Sequence, residues 1–539
     1  MSGQFLEDSW KLRENPVRTG ADFRGGPFEE IRGIRHSGAM GNNPPPDGGL
    51  HGGHHGISLL SGWLPWTVQI LVVLTIVVAV GWRTRRWRLL WVPVATAVAV
   101  LGTLAFAAYL DGSGMATDPP PMALWVWIGL TLASLAVLVL GWRGTTWWRR
   151  GLSALAVPLS LLCVGLTLNQ WVGYFPTVQE AYAQVTAAPL PNQVPEGQLA
   201  SLRGQGPQMR AGKLVPITTP DTASGFAHRQ EYAYLPPAWF TGPTPPQLPA
   251  IMMIGGEFNT AADWIRTGGA LDVIDHYQQT HGGVSPILVF ADAGGTFNND
   301  TECVNGPRGN AADHLTKDLR PYIAQHFGAS EDPQQWGVVG WSMGGSCAAD
   351  LAVMHPELFR SFENIAGDLG PTVGDRNKTI QQLYGGNAAA WAQFDPMTVL
   401  AHHGPYANTA GWFEDSQQNP AFKRHPHPNK GQDDNAGYGG HVEGGDFSQD
   451  QTAEAHQLCD AARKDAIPCS VRTRPGGHSW QFAQQAFADA LPWMAGRVEN
   501  PAQPASAPES GAPAPPAPAP ANAAPGDPAP AASAPAPGR

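Results

Sequence analysis

This sequence is short of basic residues, of cysteine and of any early apolar run. It carries 33 Lys and Arg against 44 Asp and Glu, a formal charge of −11, and no large basic block. That balance argues against a nucleic-acid partner. There are five cysteines in 539 residues and no Cys-x-x-Cys pair, which argues against a zinc site of the usual spacing. No long apolar segment begins before Trp63, so a conventional N-terminal signal peptide is not expected. Met40 lies nearer that segment and is a second candidate start.

What is present is unevenly spread. Residues 1–62 are polar, rich in Gly, Pro and Arg, and show no sustained periodicity. They read as a disordered tail. The HGGHHG run at 51–56 reads as part of it rather than as a metal site. Residues 501–539 hold 13 Pro and 15 Ala in 39 positions. That composition cannot bury a core and suits an extended, polyproline-biased tail, set from 498 onward.

Between the tails come four apolar runs, at about 63–82, 89–110, 122–142 and 151–174. Each has roughly the ~20 residues that cross a bilayer core. They contain almost no ionisable or amide group, which leaves little for an ion or proton path and favours an anchor over a transporter. The region 63–175 is therefore expected to form four transmembrane helices, with membrane lipids as partners. Arg83, Arg85, Arg86 and Arg88 fill the first loop, and Arg143, Arg149 and Arg150 lie in the third. The second loop has Asp111 and Asp118 and no basic residue. The positive-inside rule places both Arg loops in the cytoplasm and everything after about 175 outside.

Residues 176–230 read as a linker and entry segment. From 231 to 497 short apolar runs alternate with helical stretches. Strands are expected at 251–256, 286–292, 336–341, 361–367, 409–414 and 469–476. Helices are expected at about 310–327, 343–355, 376–394 and 450–465. The alternation predicts one α/β domain, a mainly parallel sheet with helices on both faces.

Within this domain Gly340-Trp341-Ser342-Met343-Gly344 follows an apolar strand and precedes a small-residue helix. A sharp turn there would lift the Ser342 hydroxyl off the sheet as a nucleophile. The base should come last, and His478 sits in RPGGHSW after the final strand. Two backbone donors should form the oxyanion hole: the N–H of Met343 and, from the loop 255–264, that of Glu257. The acid belongs between Ser342 and His478. Asp415 is ranked first, then Glu414, then Asp446. A Gly-x-x-Asp alignment would put Asn419 at the acid position. The mechanism needs neither metal nor organic cofactor.

With these residues in place, the domain resembles the esterase D-like branch of the α/β-hydrolases. This branch includes feruloyl-esterase-like enzymes and the mycolyltransferases of mycolic-acid-bearing bacteria. The resemblance covers about 230–495 and rests on GWSMGGSCA at 340–348, PILVFADAGGTFNNDTEC at 286–303 and GGHSW at 476–480. A four-span anchor before such a domain looks like a group of membrane-linked esterases from those bacteria. The resemblance implies hydrolysis or transfer of acyl esters at the cell envelope. The mycolyltransferase pattern has an Asp and an Arg flanking the oxyanion donor. Gly255 and Phe258 stand at the matching positions here, which favours water or a different acceptor over a sugar. Aminoacyl-lipids, acylated glycolipids and small diffusible esters all fit as substrates. The rival readings are an acyltransferase using a carbohydrate or lipid acceptor, and a non-catalytic binding domain. Asp300, Thr301 and Glu302 precede Cys303 at the rim, either as substrate contacts or as a capped loop.

Cys163 falls in the fourth span. Cys303, Cys347, Cys459 and Cys469 all fall in the domain expected outside, where an even number suggests two disulfides. Three pairings are open. Cys303–Cys347 and Cys459–Cys469 are favoured, the second joining a helix end to the next strand.

Overall fold

A computed structural model describes residues 56–113, 120–417 and 451–502. Residues 1–55 and 503–539 of the expected tails, and the stretch holding Asn419 and Asp446, lie outside the described residues, whereas 56–62 are tied to the chain after the fourth span, with Leu59 N–H donating to Pro176 O at 2.9 Å, and the last helix runs on to Glu499. Four helices, α1 (Trp63–Val80), α2 (Val92–Ser113), α3 (Met122–Gly141) and α4 (Trp147–Val172), are long and apolar enough to cross a membrane. Val72, Trp127 and Cys163 pack at the centre of this bundle. Leu74, Leu101 and Val139 are exposed on its outside. Apolar side chains facing outward suit a lipid solvent, which carries no penalty for them.

The bundle is joined to the downstream domain by more than chain. Gly173 ends α4 with φ 72°, the left-handed cap that glycine adopts without strain. Its carbonyl accepts from Gln481 Nε2 at 2.8 Å, and the Tyr174 hydroxyl donates to Asp263 Oδ1 at 2.8 Å. A Cβ on Gly173 would meet Gln481 Oε1 at 1.8 Å. Here glycine serves both the turn and the close approach. The helix α5 (Val178–Val185) comes next, capped by Thr177, whose hydroxyl accepts from Glu180 N–H.

The sheet has eight strands: β1 (Lys213–Ile217), β2 (Glu231–Leu235), β3 (Ala250–Ile254), β4 (Ile287–Ala291), β5 (Trp336–Trp341), β6 (Ser361–Ile365), β7 (Ala410–Gln417) and β8 (Cys469–Pro475). Their order across the sheet is β1-β2-β4-β3-β5-β6-β7-β8. From β4 to β8 all neighbours run parallel, while β1 and β2 are antiparallel additions at one edge. Every residue of β3, β4 and β5 is buried. This is why they read as unbroken apolar runs rather than alternating ones.

The helices covering the faces are α6 (Ala270–Thr280), α7 (Arg320–Phe327), α8 (Met343–Met354), α9 (Arg376–Leu383), α10 (Ala388–Phe394), α11 (Pro396–His403), α12 (Gln451–Lys464) and α13 (Trp480–Glu499). One core lies between the sheet and α7, α8 and α12, and the other between the sheet and α6 and α13. The single helix expected at 376–394 is two. Gly385 and Gly386 interrupt it at φ 59° and 87°, angles a continuing helix cannot use.

Strand β1 lies in the stretch expected to be linker. Its Pro216 donates no ladder hydrogen bond, which suits a strand at the edge of a sheet. β1 is the edge strand of the sheet, paired with β2 on one side and joined on the other only through a single bridge between Leu214 and Gln193 among the described residues, so the missing donor is tolerated. Both favoured disulfides are present, Cys303–Cys347 and Cys459–Cys469. The first ties the loop after β4 to α8. The second ties α12 to β8.

Candidate active site

The C-terminal ends of β3, β5, β6 and β7 meet on one edge of the sheet, where ligands bind in open α/β folds. Ser342 sits there between β5 and α8 with φ 59° and ψ −126°. A non-glycine residue held in this region stores strain. Its N–H donates to Ile365 O at 2.9 Å, and its carbonyl accepts from Gly345 N–H at 2.7 Å. Glycines make the turn feasible. A Cβ at Gly340 would fall 1.7 Å from Gly344 O, and one at Gly344 2.3 Å from Ile254 O. The loop after β3 lies directly against the serine: a Cβ on Gly256 would be 3.2 Å from Ser342 Cβ and 3.6 Å from its Oγ. The backbone just before Glu257 therefore runs beside the hydroxyl.

That loop is braced by residues to which the sequence assigned no role. Asn259 Oδ1 accepts from Gly256 N–H at 3.0 Å. Arg229 Nη2 donates to Asn259 O at 2.6 Å and to Asp292 Oδ1 at 2.6 Å. Asp292 lies just after β4 and is buried. A charged fork thus fixes the carbonyl at the end of the glycine loop. Asp292 was legible only as the end of an expected strand, and nothing in the sequence links it to Arg229, 63 residues away. Asn259 was legible only as the end of a glycine-rich loop.

His478 lies in the turn before α13, partly buried, with its ring centroid 5.1 Å from that of Trp341. Trp341 in turn packs on Trp480 at 4.4 Å. These rings confine the imidazole near the elbow residue that precedes Ser342. Ser479 caps α13 by accepting from Phe482 N–H.

The two adjacent acids of β7 differ in environment. Glu414 Oε1 is 2.5 Å from Arg474 Nε, and its Oε2 accepts from Trp412 Nε1 at 3.0 Å. Asp415 is buried, and its Oδ2 has no hydrogen-bond partner among the described residues. Burial first, then the charges of Glu454, Glu414 and Asp368, push its carboxyl up to about 8. The shift favours the protonated form of Asp415. Asp446 lies outside the described residues.

The rim is acidic. Burial, with help from Asp300 and against the pull of Arg308, pushes Glu257 up to about 7. Burial also raises Asp368 to about 6, although Gln451 hydrogen-bonds it. Thr301 is buried and donates to Ala293 O at 2.7 Å, while accepting from Cys303 N–H at 3.2 Å. This is the capped-loop arrangement. Beside the oxyanion loop, Phe258 and Phe297 are exposed, with ring centroids 5.6 Å apart.

One cluster has the residue types of a metal site: His228, Glu231 and His314, whose ligand atoms lie within 4.8 Å of one another. His228 does not suit the role. Its Nδ1 is 2.8 Å from Arg229 O and its Nε2 2.9 Å from Thr219 O. Carbonyls only accept, so both nitrogens carry hydrogen and neither has a free lone pair. The cluster is instead a buried ion pair. Burial opposes the imidazolium, but Glu231 and the two carbonyls outweigh it and raise the His228 pKa.

Residues 228–494 match the family model described as "Putative esterase". An uncharacterised protein of Corynebacterium glutamicum is 27% identical over 417 residues, covering 77% of this chain and 91% of that protein. The MPT51 antigen of Mycobacterium leprae is 28% identical over 153 residues, covering 26% of this chain and 48% of the antigen. Among solved structures, a ferulic acid esterase aligns over 53% of this chain and 99% of its own length, at 20% identity and a TM-score of 0.39. Family match, strand order and serine elbow agree: residues 228–494 form an esterase-family domain on the α/β-hydrolase fold, the fold of serine hydrolases and acyltransferases.

Proposed function

We propose that the protein is a membrane-anchored serine esterase that hydrolyses acyl esters of the cell envelope, with its hydrolase domain outside the cytoplasm. The observation that carries the reading is Ser342 at φ 59°, with the glycine loop packed against its Cβ. In the proposed mechanism His478 takes the Ser342 proton and Oγ attacks the ester carbonyl. The Met343 and Glu257 N–H groups stabilise the oxyanion. His478 then protonates the leaving alcohol, and water cleaves the acyl-enzyme. Asp415 is the proposed acid. Its raised pKa makes Glu414 and Asp446 the necessary comparisons.

Two features support a lipid-linked or otherwise apolar substrate. Gln481, three residues after His478, hydrogen-bonds Gly173 at the end of α4, which supports a site close to the membrane. The exposed Phe258–Phe297 pair offers an acyl chain an apolar surface beside the oxyanion loop. The Arg-rich loops at 83–88 and 143–150 support the orientation.

The test is fluorophosphonate labelling of the full chain, with hydrolysis of a p-nitrophenyl acyl ester measured in parallel. Wild type should be labelled. Ser342→Ala should lose label and roughly 10⁴- to 10⁶-fold in kcat. Unlabelled wild type, or an active Ser342→Ala, would sink the enzyme reading. A product that is mainly acyl-acceptor rather than free acid would move the assignment to transfer.

A further inference from the structure

A cleft of about 950 Å³ opens at the end of the helix bundle that carries the Arg-rich loops. Arg83, Arg86, Arg143 and Trp87 line it together with the apolar run Leu138–Leu140. We infer that this cleft binds the headgroup of an anionic glycerophospholipid, with the phosphodiester between the guanidinium groups and an acyl chain along Leu138–Leu140.

Several observations converge. Arg83 is not a free, snorkelling side chain. Its Nη2 donates to Ala79 O at 2.7 Å and its Nη1 to Gly141 O at 3.3 Å, and its guanidinium lies 4.1 Å over the Trp87 ring. It is therefore held in place at the cleft wall, and its Nε has no hydrogen-bond partner. Arg86 and Arg143 are exposed at the mouth.

Within the two loops the charge is uncompensated. Residues 81–91 and 141–150 together contain seven arginines and no Asp or Glu. The C-terminal ends of α1 and α3 contribute only about half a negative charge each, and Arg83 already uses their carbonyls. An anion is the missing counter-charge. The apolar lining says what kind: a free phosphate would leave Leu138–Leu140 unused, whereas an anionic lipid satisfies both surfaces. Basic pockets between transmembrane helices are suited to this chemistry. The inference is independent of the esterase reading, because no residue of the cleft belongs to the hydrolase domain.

The experiment uses the purified full chain in zwitterionic detergent and native mass spectrometry. Phosphatidylglycerol, phosphatidylcholine and inorganic phosphate are titrated separately. Phosphatidylglycerol should bind at least about tenfold more tightly than phosphatidylcholine, and millimolar phosphate should displace little of it. Each arginine is worth roughly fivefold toward an anionic headgroup, so the Arg86→Gln/Arg143→Gln double variant should lose about 25-fold. That variant avoids the Arg83 backbone contacts, and its thermal unfolding and p-nitrophenyl ester hydrolysis should match wild type. Equal binding of the two lipids by wild type overturns the inference. So does undiminished phosphatidylglycerol binding by the double variant. Displacement by phosphate with the potency of the lipid would make this a free-anion site and overturn the lipid assignment.

Discussion

The serine elbow depends on empty space at Gly344, and substitution there should reverse the usual sign of a Gly→Ala change in a helix. Gly344 lies in the first turn of α8. A Cβ on it would sit 2.3 Å from Ile254 O and 2.7 Å from both Ile254 C and Gly255 O. All three atoms are backbone, in β3 and the start of the oxyanion loop, so no rotamer change relieves the overlap. Alanine should gain up to ~1 kcal/mol from helix propensity. Overpacking of a rigid site costs about 1–3 kcal/mol or more. The net expectation for Gly344→Ala is a loss of about 1–2 kcal/mol, or roughly 2–8 °C in Tm for a domain of this size. It should also displace Gly255 and reduce kcat about 100-fold, because oxyanion donors work only when correctly placed. Gly496 in α13 provides the control. It is helical, and a Cβ there meets nothing within 4 Å. Gly496→Ala should be neutral or stabilising by up to ~1 kcal/mol with unchanged activity. Thermal unfolding by fluorescence and p-nitrophenyl ester hydrolysis would read both. If Gly344→Ala is as stable and active as Gly496→Ala, the packing argument for the elbow is wrong.

The same geometry gives three other expected outcomes. Glu257 is neutral below about pH 7 and charged above it. An anion beside the oxyanion opposes catalysis by on the order of 1 kcal/mol, so Glu257→Gln should raise kcat/KM roughly fivefold at pH 8.5 and leave it unchanged at pH 5.5; a pH-independent ratio would refute this. Asp415 holds its proton to about pH 8 in the folded protein but releases it near pH 4 when unfolded. Its stabilising contribution is complete below pH 4 and is lost as pH rises toward 8, by at most on the order of 5 kcal/mol. Asp415→Asn should therefore flatten the Tm–pH curve over that range, and if Asp415 also supports His478 it should cut kcat by up to about 10⁴-fold. An unaltered pH profile would contradict the buried-carboxyl picture, and full activity would pass the acid role to Glu414 or Asp446. The Cys303–Cys347 bond closes a span of 44 residues and the Cys459–Cys469 bond one of 10. Chain entropy alone assigns them about 4 and about 3 kcal/mol, so Cys303→Ser/Cys347→Ser should lower the Tm more than Cys459→Ser/Cys469→Ser, and the reverse order would count against loop entropy as the main term.

Some features were legible because the physics is local. The four spans come from run length and missing charge. Strand β5 was read at 336–341 as found, because a buried parallel strand is one apolar run next to glycine. Other features were hidden because the deciding partner is distant. Strand β1 fell in the stretch expected to be linker, because what makes it a strand is its pairing with β2. Asp415 and Glu414 are neighbours in sequence, yet consecutive strand residues point to opposite faces. One meets Arg474 and Trp412, the other Glu454 and Asp368.

The sequence by itself determined the membrane-anchor pattern, the α/β alternation, the Gly-x-Ser-x-Gly turn and the position of His478. Each is written in periodicity or in a short motif whose chemistry is fixed by neighbours along the chain. Only the tertiary structure decided that Arg229 and Asp292 hold the loop after β3, that Gln481 in the helix after His478 hydrogen-bonds the end of α4, and that burial raises the Asp415 carboxyl. Those facts depend on burial and on contacts across tens to hundreds of residues, and a one-dimensional pattern carries neither.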